Sequence, residues 1–260
     1  MRARPADARE PGARAAHYSY TLYADPAMAE RFEQVRFGGP IGALLAESQE
    51  RVLAGYAGPL DGRRALDVGT GSGRAAIALA ARGALVTGVD ASAEMLRVAR
   101  ARAADRGVTV TFAPADAHAL PFADRSFDVA VCLRVLMHTP DWRRCVAELC
   151  RVSGSRVIID YPALFSAAAL QAAGRRAAAA LGARVEAYRV LTERAVEAEL
   201  RRHGFEVARA HRQFVLPIAL HKRLGSRRTT ERIEGALARA GLLRLAGSPV
   251  TLMAERCASS

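Results

Sequence analysis

The chain has 260 residues, 51% of them hydrophobic, enough for one large domain with a complete core and a small added lid. It carries 38 basic against 26 acidic residues, a formal charge of +12. Every basic residue except Lys222 is Arg, and the Arg pairs (Arg63-Arg64, Arg143-Arg144, Arg175-Arg176, Arg201-Arg202, Arg227-Arg228) are dispersed with few aromatics between them, which argues against a specific nucleic-acid surface. No stretch is long and apolar enough to span a bilayer. Cys132, Cys145, Cys150 and Cys257 form no CxxC pair and have no His at zinc-finger spacing, so they read as reduced thiols of a cytoplasmic protein.

In chain order, residues 1–16 are Arg/Ala/Pro-rich without the apolar run of a secretory signal and are expected to form a disordered tail. Residues 17–60 are expected to form a helical lid ahead of the sheet. They hold Tyr18, Tyr20 and Tyr23, then Asp25-Pro26 and the glycine pair Gly38-Gly39. From Arg64 onward, strand-like and helix-like segments alternate. Strands are expected at 65–68, 85–90, 108–112, 127–132, 156–160, 205–215 and 250–255. Helices are expected at 74–82, from the Ser92 cap to about Arg106, at 142–151, and from the Thr192 cap to His203, where Gly204 stops it. Such alternation predicts a parallel sheet with helices on both faces, an α/β fold spanning 61–260. Two Ala- and Arg-rich segments, 163–189 and 220–245, do not fit the alternation and are read as helical insertions near the site.

Asp67-Val68-Gly69-Thr70-Gly71-Ser72-Gly73 follows the first strand and opens a helix, the context a nucleotide-binding glycine loop requires. A dinucleotide fingerprint would place glycine where Arg74 stands, and the Lys-Ser/Thr ending of a phosphate-binding loop is missing. Asp90 ends the second strand, where a carboxylate can accept hydrogen bonds from both hydroxyls of a ribose. Asp116-Ala117 follows the third, where a carboxylate can accept from an adenine amino group. Leu120-Pro121-Phe122 and Phe127-Asp128 then lead into the fourth strand. Each Asp alone is more often a cap or turn residue; three in order at strand ends point to a nucleoside ligand.

These segments (ALDVGTGSG, VTGVDAS-EML, ADAHALPFADRSFDVAVC and VLMHTPDW) resemble the S-adenosylmethionine-binding half of class I methyltransferases, closest to the branch with ubiquinone and menaquinone C-methyltransferases. The resemblance implies a Rossmann-like, doubly wound seven-stranded sheet whose last strand is antiparallel. It implies S-adenosylmethionine as methyl donor and S-adenosylhomocysteine as product. Gly69, Gly71 and Gly73 would surround the methionyl part, with Asp67 and Thr70 in the same loop. Asp90 and Ala91 would hold the ribose, Met95 would pack near the adenine, and Asp116 and Ala117 would read its edge. Leu133 would flank the sulfonium. Separately from the resemblance, the aromatic segment of Tyr18, Tyr20 and Tyr23 is read as packing or as a lid, in which Tyr23 would close over the ligand. The family's Lys-Pro-Gly-Gly turn before the fifth strand is reduced here to residues 151–156.

Methyl transfer is displacement at the sulfonium carbon, so the protein's main task is alignment and exclusion of water. Arg134, at the mouth of the site, and His138 are the candidate catalytic side chains; each has a bland reading, a surface ion pair and an ordered turn. His221 and Lys222 are candidate contacts for an acidic substrate. No Asn/Asp-Pro-Pro-Tyr/Phe motif follows the fourth strand, no Cys follows Pro, and one lysine cannot build a Lys-Asp-Lys-Glu tetrad. These absences disfavour nucleic-acid methylation and leave a small-molecule acceptor. The alternatives are a noncatalytic S-adenosylmethionine-binding protein, a nucleotide-dependent oxidoreductase, and a quinone-precursor methyltransferase whose segment 164–181 docks on a membrane, although a buried helix is the preferred reading of that segment.

Overall fold

The computed structural model describes residues 25–180 and 188–258. The expected tail, the three N-terminal tyrosines and part of the first insertion lie outside the described residues. Helix α1 (Pro26–Phe37) starts where Asp25 accepts from the Ala27 amide at 2.9 Å and Pro26 occupies the first turn, where its missing N–H costs nothing. Gly38 separates it from α2 (Gly39–Ala57), and a Cβ on Gly38 would stand 2.3 Å from the Gln34 carbonyl oxygen. The two helices therefore meet at a corner only glycine fits.

Seven strands follow: β1 (Arg64–Val68), β2 (Leu85–Asp90), β3 (Val110–Pro114), β4 (Phe127–Cys132), β5 (Ser153–Tyr161), β6 (Phe205–Phe214) and β7 (Ser248–Arg256). Their spatial order is β3-β2-β1-β4-β5-β7-β6. The first five run parallel, and β7 is antiparallel to both β5 and β6. This is the Rossmann-like sheet expected. The chain leaves β1 toward β2 and β3, then returns to the other side of β1 as β4. That reversal opens a crevice at the carboxyl ends of β1 and β4.

Both faces of the central strands are covered, which is why they read as nearly unbroken apolar runs. Leu66, Ala130, Cys132, Val157 and Ile159 face α5 (Trp142–Val152) and α7 (Glu193–Arg202), whose Val146, Leu149, Val196 and Leu200 are fully buried. Ala65, Val129, Val131 and Ile158 face Leu53 and Ala57 of α2 and Ala76 and Leu79 of α3 (Arg74–Ala80). Helix α4 (Ala93–Asp105) closes the far side, its Ser92 cap accepting from the Met95 amide as expected. Cys132, Cys145 and Cys150 are buried and Cys257 is exposed; all are free thiols, and burial pushes the Cys150 thiol up to about 12.

Several boundaries differ from the sequence reading. The third strand begins at Val110, because Gly107 turns left-handed and the chain needs two further residues to reach the register of β2. Strand β5 begins at Ser153, directly after α5: no turn remains where the family's glycine pair would be, and the Ser153 hydroxyl donates to the Arg156 carbonyl at 2.6 Å. Strand β7 begins at Ser248.

The first insertion contains α6 (Ala167–Ala180), and its described side chains do not form the buried face preferred above. Among its residues 171–175 only Ala172 is buried, since an alanine face offers little area to pack, and Phe165 just before it is 75% exposed. The second contains α8 (Ile218–Leu224), α9 (Arg227–Arg239) and α10 (Leu242–Ala246). No described helix is long and apolar enough to cross a membrane.

Candidate cofactor and acceptor site

The glycine loop is built from Asp67 outward. Its buried carboxylate accepts from the Thr70 hydroxyl at 2.7 Å and the Ala76 amide at 3.0 Å, tying the end of β1 to the start of α3. Burial, with the nearby Asp90 charge as a smaller cause, pushes this carboxyl up to about 6 in spite of those two bonds. Gly69 has φ +68°, and a Cβ there would overlap the Val135 side chain at 2.3 Å. Gly71 has φ +53°, and nothing in the chain lies within 4 Å of where its Cβ would be. Substitution at Gly71 would thus put a side chain into open cavity space and not into the protein.

Asp90 accepts from the Gly71 amide at 2.8 Å and from the Ser92 amide at 2.9 Å, one on each oxygen. Burial raises its carboxyl and these amides oppose the rise. Asp116 accepts from the His118 amide at 2.9 Å and pairs with His118 Nδ1 at 2.6 Å. The buried His118 ring reaches the Thr139 hydroxyl through Nε2, joining the loop after β3 to the loop after β4. Arg134 follows β4 with φ +65°, its amide donating to the buried carboxylate of Asp160 at the end of β5. His138 is buried in the turn that follows, its amide donating to the Val135 carbonyl at 2.7 Å.

One cavity of about 1140 Å³, its open mouth included, gathers these parts. Asp67, Gly69, Thr70, Gly71, Asp90, Ala91, Met95, Asp116, Ala117, Leu133, Arg134 and His138 all line it. A space of that order accommodates a nucleoside-sized ligand. The lid helix contributes as well: Phe32 and Phe37 line the same cavity. Glu33 fastens α1 to the loop, accepting from the Ser72 hydroxyl at 2.5 Å and pairing with Arg102 at 2.9 Å and Arg74 at 3.6 Å. The Arg74 guanidinium in turn lies over the Phe37 ring at 3.9 Å.

Residues 66–159 match the family profile described as a methyltransferase domain. An uncharacterized protein of Mycobacterium bovis is 38% identical over 145 residues, 55% of this chain and 46% of that protein. A demethylmenaquinone methyltransferase of Thermus thermophilus is 39% identical over 105 residues, 38% of this chain and 48% of the other. Among solved structures, magnesium protoporphyrin IX methyltransferase from Synechocystis with bound SAH aligns over 92% of this chain and 98% of its own, with a TM-score of 0.65 at 20% identity. Residues 66–159 are thus similar to methyltransferase domains, and the whole chain has the fold of class I methyltransferases. The chain spans about half the length of the curated relatives it matches. The fold itself is also that of a [4+2]-cyclase, at a TM-score of 0.58 and 22% identity, so fold does not by itself fix the reaction.

Some residues sit otherwise than expected. Gly73 does not line the cavity. It caps α3 at φ +81°, and a Cβ there would press on Ala99 of α4 at 3.1 Å, so its smallness serves helix packing. His221 is fully buried, with Nε2 2.8 Å from the Glu234 carboxylate and Nδ1 3.1 Å from the Thr230 hydroxyl. Glu234 also accepts from the Val215 and Leu216 amides, so this group holds the β6–α8 turn and offers nothing to an acidic substrate. Lys222 donates to the carbonyls of Val35 and Arg36 at 3.1 and 3.2 Å, closing the C-terminal end of the lid helix. Tyr23 lies outside the described residues.

The sequence reading missed Phe32, Glu33, Phe37, Arg74, His118 and Thr139. Only His118 left a local sign, because Asp-x-His invites an aspartate turn. The others come from distant segments and are brought together by folding alone.

Proposed function

We propose that the protein transfers the methyl group of S-adenosylmethionine to a small-molecule acceptor by direct displacement. The observation that carries this reading is the convergence of the glycine loop, Asp90, Asp116-Ala117 and Leu133 on one cavity at the carboxyl ends of the parallel strands. The residues fit the donor. Gly71 leaves open a cradle that any larger residue would fill. The Asp90 carboxylate receives two amides and has acceptor capacity left for ribose hydroxyls. Asp116, steadied by His118, stands where an adenine amino group can donate to it, with Ala117 and the buried Met95 offering apolar surface to the base.

S-adenosylmethionine supplies an activated methyl on sulfur; the chain's own contribution is alignment and a dry site. Leu133 and Val135 give apolar walls beside the glycine loop, and α1, held by Glu33, covers the opening. His138 and Arg134 stand where this cavity meets a second chamber, so they face the acceptor's side. His138 can accept a proton from an acceptor that must lose one.

Gly71→Val tests the reading. By calorimetry, S-adenosylhomocysteine should bind wild type and lose at least about 100-fold in affinity for the variant, because the branched side chain occupies ligand space. The left-handed φ adds a strain of about 1 kcal/mol to the variant, too little to unfold it. Equal affinity in both proteins would remove this loop from the site.

A further inference from the structure

Asp116 lies in the wall of the main cavity, its side chain 31% exposed. A carboxylate in such a place ordinarily swings between rotamers and takes its bonds from water, so it discriminates poorly between ligands. Here it is clamped. The His118 amide donates to Oδ1 of Asp116 at 2.9 Å, and His118 Nδ1 stands 2.6 Å from the same oxygen. Two bonds from one residue to one oxygen fix the rotation of the carboxyl group. An ionised carboxylate only accepts, so the partners assign the proton to Nδ1, and in the neutral ring Nε2 then accepts from the Thr139 hydroxyl.

The clamp is itself held from both sides. His118 is buried, and the Arg144 side chain of α5 donates to its carbonyl at 2.8 Å. Thr139 is buried in the turn after β4. Its amide donates to the Val135 carbonyl at 3.1 Å, and its own carbonyl accepts from Arg189 at 3.4 Å. Asp116, Ala117, His118, His138 and Thr139 all line the main cavity. One imidazole thus ties the wall that follows β3 to the wall that follows β4, across 21 positions of the chain.

We propose that His118 is a positioning residue that makes the site selective for a purine bearing a 6-amino group: it fixes the Asp116 carboxylate in the orientation that receives the amine, and Thr139 anchors the ring that does so. The inference rests on the methyltransferase reading above, which seats adenine beside Asp116 and Ala117. A carboxylate already fixed in place loses little freedom when the amine arrives. A purine without the amine leaves that carboxylate stripped of water and facing a C–H group, which is the larger effect. The clamp therefore works chiefly by rejecting the wrong base.

The test compares S-adenosylhomocysteine with its purine-riboside analogue, which lacks only the 6-amino group, by calorimetry on the full chain. Wild type should hold S-adenosylhomocysteine about tenfold or more tightly than the analogue. His118→Gln places its amide about where Nε2 lies, so it can reach Thr139 but not Asp116, and its preference should fall to about twofold or less. His118→Asn places its amide about where Nδ1 lies, keeps a donor for Asp116, and should retain a preference of about fivefold or more. Thr139→Val removes the hydroxyl that anchors the ring, and its preference should fall about threefold from wild type. Preference is a ratio within one protein, so a general loosening of the cavity cancels from it. Discrimination against a 2′-deoxy analogue, assigned to Asp90, should stay at the wild-type level in all three variants.

A wild-type preference in His118→Gln, or an equal loss in His118→Asn and His118→Gln, would overturn the inference. So would 2′-deoxy discrimination that falls in step with amine discrimination. Should neither His118 variant fold, Thr139→Val decides alone, and an unchanged preference there overturns the inference. A wild type that holds S-adenosylhomocysteine no more tightly than the analogue would overturn it and leave the methyltransferase reading standing. A wild type that does not bind S-adenosylhomocysteine would overturn that reading, and this one with it.

Discussion

Asp67→Asn isolates the charge at the centre of the glycine loop. The Thr70 hydroxyl and the Ala76 amide both donate to one oxygen of Asp67, so the amide oxygen of Asn can take that place and keep both bonds. What changes is the charge, in a side chain only 2% exposed. The wild-type carboxyl is pushed up from 3.8 to about 6, mainly by burial. A carboxyl that binds its proton more tightly when folded contributes stability that is present below its unfolded value and lost as pH rises through its folded value. Wild type should therefore lose about 3 kcal/mol from this group between about pH 4 and pH 7, at about 1.4 kcal/mol per tenfold change in proton affinity. The Asn variant has no such loss, and titrating groups that do not interact with Asp67 cancel in the difference, leaving its weaker coupling to Asp90 as a smaller contribution. Urea unfolding of the ligand-free proteins at pH 4, 5, 6, 7 and 8 should show a stability difference, Asn minus wild type, that starts near its low-pH value and climbs by about 2–3 kcal/mol across that window. A difference that stays flat, or falls with rising pH, would refute the reasoning: Asp67 would then ionise as an ordinary carboxylate, its burial balanced by the Thr70 hydroxyl and the Ala76 amide.

Asp90→Asn replaces one acceptor oxygen by a donor facing either the Gly71 or the Ser92 amide, and under the proposed function it also removes an acceptor for the ribose. Affinity for S-adenosylhomocysteine, measured by calorimetry, should fall by about 1.5–3 kcal/mol, and a 2′-deoxy analogue should lose less affinity in the variant than in wild type. Glu33→Gln weakens the three-donor cluster that fastens α1 to the loop, a half-buried site worth about 1–2 kcal/mol. Hydrogen exchange should show 26–37 opening more readily in the variant and becoming more protected in both proteins on addition of S-adenosylhomocysteine. Protection in wild type that is already complete without ligand, and unchanged by it, would make α1 a packing helix and no lid.

The part of the cavity lined by the glycine loop and the strand ends was legible because it is local. Gly69, Thr70 and Gly71 sit on one turn, Asp90 and Asp116 each end a strand, and the alternation of elements brings strand ends together at one edge of the sheet. Spacing along the chain is then nearly equivalent to spacing in the site. The same logic misjudged Gly73, whose role is decided by Ala99 on another helix. It also misjudged His221 and Lys222. A histidine and a lysine in an Arg-rich insertion look like ligands for an anion, and nothing local reveals that Glu234 and the end of α1 already hold them.

The sequence by itself determined the class of fold and the sheet edge at which the cavity opens, because hydrophobic period, glycine positions and strand-end acids act within a few residues of one another. Only the tertiary structure decided which distant residues complete the cavity. Glu33 meets Ser72 and Arg102 across 39 and 69 positions. Contacts of that range depend on how α1 packs onto the sheet. That packing follows from apolar area and shape, which leave no periodic mark in the chain.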